Sequence, residues 1–116
     1  MLNTTYDTLV LELAPLLGAA KDHGSDTGAR FTSSRKGKAT VYHANISPGN
    51  HAEVAVDIPS NAARLGITER EMREQIVSAR AATGRKVETN EQYNWPRIGL
   101  SSSDHIPIVL SAFRAA

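Results

Sequence analysis

Serine, aspartate and histidine side chains stand together in Ser101-Ser102-Ser103-Asp104-His105, the residue types of a hydrolytic triad. Acyl transfer needs a carboxylate that orients the imidazole and an imidazole bonded to the nucleophile, so the three groups must converge in space. Consecutive side chains at a helix start radiate apart. The run therefore reads as an N-cap, with Asp104 favoured by the helix dipole, and no G-x-S-x-G elbow occurs elsewhere to supply a nucleophile. The four histidines, His23, His43, His51 and His105, fall in different segments without the H-x-x-x-H or H-E-x-x-H spacing of a zinc site. Asp22, His23 and Asp26 could offer a loop metal site, but they lack the ligand spacing and closing glutamate of an EF-hand. A solvated loop is the simpler reading.

Phosphate chemistry fares no better. Arg35-Lys36-Gly37-Lys38-Ala39-Thr40 echoes a P-loop, yet it lacks the upstream glycine and leads into a strand where a phosphate-binding loop opens a helix. Asp57 supplies one carboxylate at a strand end without the companion acid and lysine of a metal-dependent nuclease. With no cysteine, disulfides, thiolate nucleophiles, iron–sulfur clusters and cysteine-bound zinc are all excluded. Neither an enzyme nor a metal or cofactor site is expected.

The clearest functional signal is electrostatic. Arg30, Arg35, Lys36 and Lys38 lie in a stretch free of acidic side chains, interleaved with Phe31, Thr32, Ser33 and Ser34. A hairpin there would thrust the cations out together toward phosphates. Lysines that merely blunt strand edges give the competing explanation. Arg70, Arg73 and Arg80 do not extend the patch, because neighbouring glutamates neutralise two of them, whereas Arg85, Lys86 and Arg97 could. Trp95, the single tryptophan, sits between Tyr93 and Arg97, and could stack on a base, anchor a protein partner or simply pack at the core's rim.

The elements that must position these residues follow from periodicity. Tyr6, Leu9, Val10, Leu13, Leu16 and Leu17 form a helical stripe, with Thr4 and Thr5 as capping candidates. Pro15 should kink or end that helix, with Gly18 as its stop. The polar run 21–28 reads as a mobile loop. Ala29 to Ser33 and Lys38 to Asn45 read as strands around a turn in which Gly37 takes a positive φ. A type II turn at Ser47-Pro48-Gly49-Asn50 leads into a third strand, with Val54, Val56 and Ile58 inward and Glu53, Ala55 and Asp57 outward.

Beyond it, Pro59-Ser60-Asn61 opens a short helical turn that Gly66 stops. The Thr68-x-x-Glu71 capping box, with Ile67 and Met72 as a hydrophobic staple, starts a helix over 69–83 that Gly84 ends. Trp95 to Leu100 reads as a fourth strand with Pro96 marking a sheet edge. The last helix carries Ile106, Val109, Leu110 and Phe113 inward. The order α-β-β-β-α-β-α predicts an α+β fold, a mainly antiparallel four-stranded sheet with helices packed on one face.

Composition bounds the rest. A chain of 116 residues that is 41% hydrophobic and 22% charged is expected to form one compact domain, 1–116, with a core built from aliphatic side chains because only 5% are aromatic. A net charge of +1 argues against a polycationic coat protein. The apolar run 9–17 is interrupted by Glu12 and is too short to cross a bilayer, so a cytoplasmic protein without membrane contact is expected. These residues together predict a non-enzymatic module that binds an anionic partner, nucleic acid or an anionic protein surface, through the basic hairpin. The alternative is a stand-alone protein-binding inhibitor or regulator of phage or mobile-element type, which would use the same surface or Trp95 to occlude its target.

Overall fold

The computed structural model describes residues 3–23, 28–43, 51–85, 87 and 95–114. The predicted turn at 47–50, the tip of the loop at 24–27, Lys86 and Tyr93 lie outside them. Helix α1 spans Thr4–Leu17, strand β1 Gly28–Phe31, β2 Ala39–Tyr42 and β3 Ala52–Val56. Helix α2 covers Ile58–Leu65, α3 Glu69–Thr83, β4 Arg97–Leu100 and α4 Ile106–Ala112, the last entered through a 3₁₀ turn at Ser103–His105. All three strand pairings are antiparallel, in the spatial order β1-β2-β3-β4.

The alternation read from the sequence sets the two faces of the sheet. Ala29 and Phe31, Ala39 and Val41, Ala52, Val54 and Val56, and Ile98 and Leu100 share the inner face and are all buried. Against it pack Leu9, Leu13 and Leu17 of α1, Met72 and Ile76 of α3, and Val109 with Phe113 at the end of α4. No helix among the described residues is long and apolar enough to cross a membrane.

Helix α3 forms where its local signals place it. Thr68 Oγ1 accepts from the Glu71 N–H at 3.0 Å, Glu71 Oε1 accepts from the Thr68 N–H at 3.1 Å, and Gly84 closes the far end in the left-handed region. The Thr68 N–H and, second to it, the Thr68 side chain hold the Glu71 carboxyl below its ordinary range, because both hydrogen-bond to its ionised form. Thr68→Ala is expected to cost about 0.5–2 kcal/mol. Glu71→Ala should also lower the denaturant midpoint at neutral pH. Since the folded-state value is depressed, that contribution is present above the ordinary carboxyl range and is lost as pH falls through the folded value. Urea midpoints at neutral and acid pH check this; unmoved midpoints for both variants would place the helix start elsewhere.

Four local expectations are corrected. Asn3, not Thr4 or Thr5, caps α1: its Oδ1 accepts from Tyr6 N at 3.0 Å while its Nδ2 donates to the His51 carbonyl at 2.7 Å. Pro15 does not stop α1, which runs on to Leu17 and is capped by Gly18, because a proline this near the C-terminus removes only one bond from the last turns. The third strand ends at Val56. Asp57 is then the N-cap of α2, and Ile58 its first residue, both buried. Finally, β4 starts at Arg97, with the Pro96 carbonyl accepting from Val56 N at 3.0 Å just before it.

Candidate nucleic-acid interface

The hairpin tip is held by bonds from its own turn and from α2. The Lys36 N–H donates to Ser33 Oγ at 3.1 Å and the Gly37 N–H to the Ser33 carbonyl at 2.9 Å, which closes the turn. Gly37 has φ +105°, and a Cβ there would lie 2.4 Å from Asn61 Oδ1, so the turn meets the start of α2 at a point where only glycine fits. Behind it, Lys38 N donates to Ser60 Oγ at 3.0 Å, and the Lys38 carbonyl accepts from Asp57 N at 3.0 Å and Asn61 Nδ2 at 2.9 Å. The Asp57 carboxylate in turn accepts from Ser60 N at 3.0 Å and from the Ser60 hydroxyl.

Arg64 extends this brace. Its Nη2 donates to Asn61 Oδ1 at 3.3 Å and to the Phe113 carbonyl at 2.6 Å, tying α2 to the end of α4, while burial lowers the guanidinium from its ordinary value. Nothing in the sequence marked Arg64, because its partner beyond α2, the Phe113 carbonyl, is set by packing.

The basic residues divide into groups. Arg35 and Lys36 are exposed at the tip, and neither has an ion-pair partner among the described residues. Lys38 is half-buried beside α2. Arg30 is exposed on β1, where its Nε donates to Asp22 at 2.6 Å; the acid lies outside the basic run in sequence but against it in space. Trp95 is half-buried ahead of β4. Arg97 lies on the far edge strand.

Strand register puts Arg30, Thr40, Ala55 and Arg97 in one row across the sheet face opposite the helices, with Tyr42 and Glu53 in the adjacent row. Arg97 Nη1 donates to Glu53 Oε1 at 3.1 Å, and its Cζ lies 4.4 Å from the centre of the Tyr42 ring. Next to them, Arg85 bonds His51 Nδ1, and its side chain crosses Gly99 so closely that a Cβ there would sit 2.9 Å from Arg85 Cδ. Tyr42 and Glu53 carried no signal in the sequence, and the joining of Arg85 to His51 could not be read there, because these groupings depend on pairings across the sheet.

Among the described residues, each outer edge of the sheet carries one isolated bridge. Lys21 pairs with Arg30 outside β1, and Arg85 with Gly99 outside β4. Backbone groups that could template another strand are thereby occupied at those points. Lys21 thus places the start of the predicted loop against the sheet.

The serine cluster does not assemble a triad. His105 Nδ1 accepts from the Ser101 backbone N–H at 3.1 Å, Ser102 Oγ accepts from Asp104 N at 3.2 Å and so caps the 3₁₀ turn rather than α4, whose start at His105 has no side-chain cap, and Ser103 Oγ faces Thr5 Oγ1 at 3.3 Å. His23 and His43 instead flank the Tyr6 ring, with His23 Nδ1 3.0 Å from the tyrosine oxygen. No cluster of histidine and acidic side chains able to hold a metal ion occurs among the described residues.

No protein-family model matches this chain, and neither a curated protein nor a solved structure matches it.

Proposed function

We propose that the protein is a small, non-enzymatic binding module that engages nucleic acid through the hairpin spanning residues 30 to 38. The observation that carries this reading is the pairing of exposed cations at Arg35 and Lys36, without an ion-pair partner among the described residues, with a turn that is bonded to α2 from beneath. A solubilising lysine needs no such support. Phosphate contact gains from it, because two side chains presented on an ordered turn lose less freedom on binding than the same charges on a loose loop. Arg30 adds a third cation on the adjoining strand, moderated by Asp22. Lys38 contributes mainly through its backbone, which ties the turn to Asp57, Ser60 and Asn61.

Phosphate contacts release condensed counterions, so affinity should fall steeply with salt. In a fluorescence-anisotropy titration against labelled DNA and RNA, Arg35→Gln combined with Lys36→Gln is expected to weaken binding for every sequence. It should also flatten the slope of log affinity against log salt by somewhat under about two units. An unchanged thermal melt separates this from loss of fold. Absence of wild-type binding at low salt would overturn the reading in favour of a protein partner.

A further inference from the structure

The sheet face opposite the helices carries a second feature whose chemistry differs from that of the tip. Arg97 is a poor phosphate clamp: one edge of its guanidinium is bonded to Glu53, and the Tyr42 ring lies beneath it. Glu53 is the more covered partner, its side chain 13% exposed against 36% for Arg97, so the arginine forms the outer layer of the stack. Its backbone is fixed as well, since the Arg97 carbonyl accepts from Arg80 Nε at 2.9 Å. A planar cation held from below and from one edge keeps its outer face for one kind of contact, stacking against another flat π-system.

Resting on the nucleic-acid reading, we propose that the Tyr42–Arg97–Glu53 stack is a plate for an unpaired base, so that the preferred ligand is single-stranded nucleic acid. The row joining plate to hairpin supports this occupant. Arg97 and Arg30 stand at its two ends, three strand spacings or about 14 Å apart, with half-buried Thr40 and buried Ala55 between them in the register. A strand whose base rests on Arg97 can run along this row with its phosphates directed toward exposed Arg30 and then Arg35 and Lys36. Bases in a duplex are already stacked on their neighbours and cannot use the plate.

The discriminating substitution is Arg97→Lys, which keeps the charge and removes the plane. Tyr42→Leu, which removes the support and leaves Arg97 in place, serves as the second variant. The probe is a short single-stranded oligonucleotide containing a fluorescent adenine analogue, measured beside its duplex form, with a thermal melt for each protein. Wild type should bind the single strand more tightly than the duplex and quench the analogue. Arg97→Lys should weaken single-strand binding about fivefold or more, abolish the quenching and leave the salt slope and duplex affinity unchanged. Tyr42→Leu should do the same more weakly. Equal wild-type affinity for both forms, or wild-type quenching by a folded Arg97→Lys, would overturn the plate while leaving the hairpin reading intact. Wild type that binds neither form would overturn both. If Arg97→Lys does not fold, loss of quenching in a folded Tyr42→Leu supports the plate and its persistence overturns it.

Discussion

Gly28→Ala is expected to destabilise the domain by about 3 kcal/mol or more, enough to lower the thermal midpoint by about 10 °C or to prevent folding. Gly28 opens β1 with φ +141°, a conformation that side chains with a Cβ rarely adopt, and a Cβ there would lie 1.9 Å from the Val41 carbonyl oxygen. That neighbour is backbone in the adjoining strand and cannot swing aside. Relief would require β1 to shift against β2, moving Arg30 away from Thr40 and loosening the hairpin at its base. Circular dichroism and a thermal melt check the effect; a midpoint within a few degrees of wild type would mean that β1 does not start in this register.

The second large effect is expected at Asp57. Asp57→Ala removes the N-cap of α2 and leaves the amide and hydroxyl of buried Ser60 without their acceptor. Cap loss and unsatisfied donors together should cost about 3 kcal/mol. Asp57→Asn keeps an oxygen acceptor, and asparagine caps helices about as well as aspartate, so it should lose less than half as much. The alanine variant should also speed amide hydrogen exchange at Lys38 and Ser60, because Lys38 N is bonded to the Ser60 hydroxyl. Equal losses for both variants, with exchange unchanged, would show that the carboxylate does not hold the hairpin to α2.

Both substitutions bear on binding through support for the tip. A module that depends on ordered cations should lose affinity when the turn is loosened even though Arg35 and Lys36 remain. That dependence separates a braced interface from simple charge attraction, which tolerates disorder.

The two kinds of residue differ in how far apart their determinants lie. Helix α3 was legible from end to end because Thr68, Glu71 and Gly84 act through bonds inside the helix or next to it. The inner face of the sheet was legible for a similar reason: alternation along a strand decides which side chains share a side. With the apolar set on one side only, helices had to cover it, and the α+β order follows. The exposed charges of the hairpin were likewise readable from a turn between two strands. Alternation alone could not separate strand from helix at Ile58, since the apolar period continues through Val54, Val56 and Ile58. Packing settled it, by setting the backbone of Lys38 against Asp57 and Asn61 and so using the aspartate as a cap. The role of Arg97 was less accessible still. Its partners Glu53 and Tyr42 stand 44 and 55 positions away in the chain and meet it only through the β2–β3 and β3–β4 register. Local bonding and periodicity thus determined the elements and their buried sides, whereas only the assembled sheet decided which polar side chains of its outer face stand together, because lateral strand pairing is not encoded within any one strand.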